Sequence, residues 1–220
     1  MAQPKPITPQ QTDFFTKAED FFEENKKAIS YGTSALLVLI IVVVYINNFY
    51  LPGRENEAQS QIFKAQQYFE MDSFRLALVG DGNYDGFLDI MDEYSWTKAS
   101  NLSKYYAGVC YLRLGDYENA ITYLGKFSTS EPIVGAMAMG AMGDAYSETG
   151  EMDKAVSHYK QAAKKANNEV LSPYYLFKAA MGLKVKGNNK DALELFKKIK
   201  SEYPDSNEGR DMEKYIAIVS

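Results

Sequence analysis

The chain carries almost none of the residues from which metal centres, disulfide frameworks and nucleophilic sites are built. Its 220 residues include one cysteine, Cys110, and one histidine, His158. A lone cysteine excludes an internal disulfide and gives no information about redox compartment. His158 has no HExxH, CxxC or GxSxG context, so the common zinc and nucleophile motifs are missing. Alternating strand patterns are also missing, so no glycine-rich phosphate loop follows a strand. Carboxylate neighbours such as Asp92 and Glu93 point apart on a helix and do not form an acid–base pair. Charge excludes another class. The chain has 24 basic and 29 acidic residues, net −5, with no basic stripe interleaved with aromatics, so nucleic-acid binding has no footprint. The expectation is a non-enzyme with no cofactor, no catalytic residues and no resident metal.

What is present is a register. Gly108, Tyr111, Gly115, Tyr117, Ala120, Leu124, Phe127 and Pro132 form one series. Gly143, Tyr146, Gly150, Met152, Ala155, Tyr159 and Ala162 form a second. Ala180, Leu183, Gly187, Asn189, Ala192, Phe196, Ile199 and Pro204 form a third. Tyr111 to Tyr146 is 35 residues, and Gly150 to Gly187 is 37. Small, aromatic, Gly, Ala, aromatic and Pro at these offsets are the tetratricopeptide signature, a stack of helical hairpins whose surface binds other proteins. The fold class is therefore all-α. The small residues let the two helices of a hairpin approach. The glycines sit where the first helix ends and a residue tolerant of positive φ is needed. Pro132 and Pro204 are read as closing their hairpins. Matched offsets over three units separate this pattern from an unrelated helical bundle.

A weaker unit precedes these, with Ala65, Tyr68, Asp72, Phe74 and Ala77 on the same offsets. The register breaks at Val79-Gly80-Asp81-Gly82-Asn83, and Phe87, Leu88, Ile90, Met91 and Tyr94 resume an apolar pattern. This reads as a degenerate repeat whose second helix is interrupted. Within the break, Asp81, Asn83, Asp85, Asp89 and Asp92 fall on ligand positions of a twelve-residue calcium loop, with Gly86 at its turn. Asp92 departs from the bidentate glutamate expected at the last position. A polar inter-helix turn with Asx caps has the same composition, so both readings stand at this point. The segment Glu208 to Val219 lacks the register and reads as a capping helix.

Upstream, Ala35 to Val44 has no polar side chain, and with its flanks the apolar segment runs from Tyr31 to Tyr50, 20 residues. As a helix this spans roughly 30 Å. Ten Leu, Ile or Val residues between Leu36 and Ile46 favour insertion by roughly 3–6 kcal/mol. Tyr31, Tyr45, Phe49 and Tyr50 suit the interfacial zones, and Pro52-Gly53 is expected to end the helix. The run is apolar all round, unlike a core helix with one polar side. Thirty residues precede it, no small-x-small site follows, and its leader is not strongly basic, unlike a cleaved signal peptide. Lys17, Lys26 and Lys27 precede the run, with Arg54 and Lys64 close after it. That modest bias places the N-terminus in the cytoplasm and the repeats beyond the membrane. Before the span, Thr8-Pro9-Gln10-Gln11 reads as a helix start. Phe14, Phe15, Ala18, Phe21 and Phe22 then recur at helical spacing opposite acidic residues. Such a face lies on a membrane surface or docks on a partner.

The layout as a whole resembles the YfgM-like tetratricopeptide proteins, ancillary subunits of the SecYEG translocon, in their Bacteroidota-type form. The residues that carry the resemblance are Tyr45 to Gly53, Ala65 to Glu70, Gly80 to Asn83 with Gly86-Phe87-Leu88, Asn101 to Tyr111, Gly143 to Tyr146, and Tyr203-Pro204-Asp205-Ser206. It implies a single-pass inner-membrane protein with periplasmic repeats. It also implies association with SecY/SecYEG and a PpiD-like chaperone, with newly exported or unfolded polypeptides as clients and no catalytic residues. The alternatives are a scaffold of another cell-envelope secretion or assembly complex, or a calcium-binding regulatory module. Domain expectations are a cytoplasmic helix over 1–28, a span over 29–51 and a repeat domain over 52–220. The repeat domain comprises units 58–96, 101–134, 136–170 and 173–206 and a cap over 207–220. By offset, the concave partner-binding face is expected at Gln59, Ile62, Gln66 and Phe69, then at Leu102, Tyr105, Val109, Leu112 and Arg113. It continues at Met137, Asp144, Ser147 and Glu148, and at Tyr174, Phe177, Met181 and Lys184. Each apolar member of that set is equally suited to packing between hairpins.

Overall fold

The computed structural model describes residues 9–220, with side chains at Thr16, Lys17 and from Glu19 onward. Thr8, the expected cap, lies outside the described residues, as do the side chains of Phe14, Phe15 and Ala18. All regular structure among the described residues is helical. The chain divides into two compact units, one ending at Gly53 and one formed by Arg54–Ser220.

The first unit is helix α1 (Pro9–Tyr45), followed by a π-helical turn at Ile46–Tyr50. Its apolar stretch is long enough to cross a membrane and none of it is buried in the protein. Every side chain from Leu36 to Val44 is exposed, which a core helix never shows. Phe21 and Phe22 are also exposed. Pro52 does not end the helix. It falls in the first turn of α2 (Leu51–Glu70), directly after the π turn. An imino nitrogen removes one i→i−4 hydrogen bond. A π-bulge, where that ladder is already rearranged, is a place where the loss is absorbed.

In the second unit α2 is followed by α3 (Phe74–Val79), α4 (Phe87–Glu93), α5 (Lys98–Arg113), α6 (Tyr117–Lys126), α7 (Pro132–Glu148), α8 (Met152–Ala166), α9 (Leu171–Val185) and α10 (Asn189–Glu202). Two short helices, α11 (Asn207–Arg210) and α12 (Met212–Val219), finish the chain. The hairpins α5–α6, α7–α8 and α9–α10 stack on one another, and α12 packs on α10. Small residues set the approach within hairpins. A Cβ on Gly108 would lie 2.5 Å from Leu124 Cγ, and one on Gly143 would lie 2.6 Å from the Tyr159 ring. Ala120, Ala155 and Ala192 are fully buried on the second helices. The core has two parts, one around Phe87, Ile90 and Cys110, the other around Tyr159, Phe196, Ile199 and Met212. Cys110 is a packed thiol whose pKa burial pushes up to about 12, so it stays protonated and inert. Pro132 serves differently from the expectation. It opens α7 at the first helical turn, where its missing N–H is no loss, while α6 has already ended at Lys126.

The three hairpin turns are built alike. Gly115, Gly150 and Gly187 have φ of 80°, 79° and 78°. The amide after each donates five residues back, Glu151 to the Tyr146 carbonyl at 2.8 Å for example, and the glycine's own amide donates three back. This is the Schellman closure. The degenerate repeat before them has the same pair of bonds, Ser73 to Tyr68 at 2.9 Å and Asp72 to Phe69 at 3.1 Å, but its left-handed residue is Asp72, with φ of 55°. Asp72→Gly is expected to stabilise the fold by about 0.5–1 kcal/mol and Gly150→Ala to destabilise it by about 1 kcal/mol. Urea midpoints of the two variants should move in opposite directions.

Candidate functional site

The first helices of the three full hairpins, α5, α7 and α9, line a groove of about 770 Å³. Tyr105, Val109, Leu112 and Arg113 enter from α5. Met137, Asp144, Ser147 and Glu148 enter from α7, and Tyr174 from α9. All nine were expected from the register. Tyr117, Tyr159, Tyr175 and Lys178 join them. None of these four was expected in the groove, although spacing offered Lys178, which stands four residues beyond Tyr174 on the same helix face.

The other expected members are elsewhere. Ile62 is buried in the core of the degenerate repeat. Phe69 packs edge-on against Phe74 at 5.7 Å and Tyr106 at 5.0 Å, and Leu102 packs on the same cluster. Phe177 meets Tyr215 of α12 at 4.8 Å and Phe196 at 6.0 Å, with Met181 beside that core. The physical reason is shared. The degenerate repeat has only short helices opposite α2, and the last hairpin is closed by a cap, so large side chains near both ends are drawn into aromatic clusters.

The groove floor is polar and tied across three helices. Asp144 Oδ1 on α7 accepts a hydrogen bond from the Tyr159 hydroxyl on α8 at 2.7 Å and from Lys178 Nζ on α9 at 2.5 Å. The Lys178 ammonium also lies 5.1 Å from the Tyr159 ring centre and 5.3 Å from that of Tyr174, within cation–π range. Burial, reinforced by the bond to Asp144, raises the Tyr159 pKa far above its ordinary value. Burial does the same for Tyr175 and, less strongly, Tyr105. These phenols stay neutral and act as hydrogen-bonding, apolar-bodied surfaces. At the rim Arg113 and Glu148 are exposed, with Tyr117 donating to Glu148 at 3.4 Å. The lining has no nucleophile beside a base. Its chemistry is that of an aromatic surface with a charged, hydrogen-bonded floor.

The Asp81–Asp92 loop is an Asx-capped turn. Asp81 Oδ1 accepts from the Asn83 and Tyr84 amides, each at 2.9 Å, and Oδ2 accepts from the Tyr68 hydroxyl at 2.6 Å. These bonds, the Tyr68 bond foremost, hold the Asp81 carboxyl below its ordinary pKa. Asp89 and Asp92 are exposed on α4, away from that turn. Gly86, expected at the calcium loop's bend, has negative φ and is required for close packing, because a Cβ there would lie 2.2 Å from the Leu78 carbonyl oxygen. Asp81, Asn83, Asp85, Asp89 and Asp92 thus do not converge as a ligand set, and the described residues contain no His/Cys/Asp/Glu cluster that could hold a metal.

The stacked hairpins with an open groove along their first helices define a repeat scaffold of the tetratricopeptide type. Within that class, residues 64–213 match the profile of the T7SS, ESX-1 secretion system protein EccA1, N-terminal domain, and the chain belongs to that family. Its fold is similar to that of a Podosopora anserina protein described as a kinesin light chain with nearly identical TPR-like repeats. The TM-score is 0.55 at 13% identity, covering 75% of this chain and 85% of that one. A second structure of that protein gives the same TM-score and identity over 86% of its chain. No curated protein sequence matches the chain.

One titration bears on the scaffold. His158 stacks on Tyr146 at 5.2 Å, its Nδ1 is buried without a hydrogen-bond partner, and burial lowers its pKa from 6.5. The unfolded chain therefore takes up this proton at higher pH than the folded one. Stability is lost as pH falls below 6.5, until the folded-state pKa is reached. Urea midpoints measured between neutral and mildly acidic pH should fall, and His158→Phe should flatten that part of the profile.

Proposed function

We propose that the protein is a membrane-anchored adapter that holds segments of other polypeptides in the α5–α7–α9 groove. The observation that carries this reading is the convergence of Tyr105, Val109, Leu112, Met137 and Tyr174 on one concave surface around the Asp144–Lys178 pair. Tyrosine and methionine offer broad contact with adaptable packing. Arg113 and Glu148 at the rim set opposite charges against an incoming chain. The exposed apolar helix at Leu36–Val44 supplies the anchor. Lysines before it favour a cytoplasmic N-terminus, with the repeats in the periplasm of a diderm cell.

Resemblance to the YfgM-like proteins supports one setting, an adapter at the SecYEG translocon working with a PpiD-like chaperone on newly exported chains. Membership in a family named for a secretion-system protein favours a second, a scaffold subunit of another cell-envelope secretion complex. Both settings use the same groove and differ in the machine that the first 53 residues meet. The Phe21–Phe22 face suits that contact.

Affinity purification from native membranes separates them. SecY with a prolyl-isomerase-like chaperone supports the translocon, and components of another export machine support the alternative. The groove itself is tested by substitution. Tyr105→Ala and Tyr174→Glu should reduce client crosslinking several-fold with helical circular dichroism unchanged. Phe177→Ala, by contrast, should destabilise the fold by about 2–3 kcal/mol, as a core residue does. Full client capture by the Tyr105 and Tyr174 variants would falsify the groove assignment.

A further inference from the structure

The chain's single tryptophan, Trp96, is 90% exposed, the most exposed large apolar side chain among the described residues. It also has φ of 77°, in the left-handed region that bulky residues rarely enter. Such a conformation persists only where the surroundings fix it, and outliers of this kind gather at functional surfaces. Here the surroundings are explicit. Thr97 caps α5 by accepting from the Ser100 amide at 3.0 Å, and its hydroxyl donates back to the Tyr94 carbonyl at 2.7 Å. The indole is presented to solvent from a turn held by these bonds.

Both sides of that turn are bonded to the start of the repeat unit. Before Trp96, the Arg54 guanidinium donates to the Glu93 carbonyl at 2.5 Å and lies 4.5 Å from the Tyr94 ring centre. After it, the Lys98 amide donates to Glu55 Oε2 at 2.5 Å. Arg54 is four residues beyond Tyr50, the last aromatic of the apolar run. Four residues reach at most about 14 Å even fully extended. The Trp96 turn is thus bonded to residues four and five positions past Tyr50, the stretch of chain that follows the apolar run out of a bilayer. Tryptophan is the side chain enriched at that depth of a bilayer, with its ring among the headgroups and its N–H hydrogen-bonded.

We propose that Trp96 is an interfacial anchor that seats in the headgroup region of the membrane crossed by the apolar helix, a second attachment point for the repeat unit. The proposal rests on the membrane-anchored reading. A lipid occupant is favoured over a protein one because the turn is bonded to residues just past the apolar run.

The full-length chain reconstituted in phosphatidylcholine–phosphatidylglycerol vesicles tests both layers, since all tryptophan emission comes from this one residue. The expected result is blue-shifted emission, protection from acrylamide, and quenching by the same lipids brominated high on their acyl chains. A Trp96→Phe, Val185→Trp variant, with its indole on the tip of the third hairpin, should remain open to acrylamide and unquenched by bromine. A chain that floats with the vesicles and resists alkaline extraction, yet keeps red-shifted emission open to acrylamide, overturns the Trp96 assignment and leaves the span intact. Equal bromine quenching of both tryptophan positions also overturns it, as general adsorption. Release of the whole chain by alkaline carbonate overturns the anchored reading and this proposal with it.

Discussion

The distance between the two helices of a hairpin is the constraint on which the repeat unit depends. A single amphipathic hairpin buries too little surface to stand alone, and stacking buries the rest only if every hairpin has nearly the same thickness. Glycine or alanine at 108, 143 and 180, facing Leu124, Tyr159 and the α10 core, keeps that thickness constant. The Schellman turns at 115, 150 and 187 then return each chain in the same direction. With thickness and return angle repeated, α5, α7 and α9 fall side by side, and the groove is the space they leave.

The ends of the stack follow from the same constraint failing. The degenerate repeat has an aspartate at its turn and two short helices where a full one belongs, so Phe87 and Tyr106 stack at 5.0 Å to fill the gap. Beyond the last hairpin, Met212, Tyr215 and Val219 of α12 pack on its core. Large side chains near both ends serve the core. The open groove runs over α5, α7 and α9, between those two clusters.

This explains what could be read from sequence. The repeat offsets encode hairpin geometry directly, because a small residue, a left-handed glycine and a buried alanine are each demanded by a local steric condition. Groove positions on the central hairpins followed, because their surroundings repeat. Ile62, Phe69 and Phe177 did not follow, since an offset records which face of a helix a residue occupies and not whether a neighbour covers that face. The calcium pattern stayed open in the sequence for a related reason. Asp81 and Asn83 have the composition of a ligand loop, and only coordinates show Asp81 spending both oxygens on Tyr68 and the loop amides. Pro52 misled because the π turn before it leaves no signature in the residues.

The Asp144 carboxylate belongs to α7, its phenol partner to α8 and its ammonium partner to α9. The floor of the groove is therefore also the seam between the second and third hairpins. The charges that line the groove tie those hairpins together, and a substitution at either one is felt by the groove and by the joint alike.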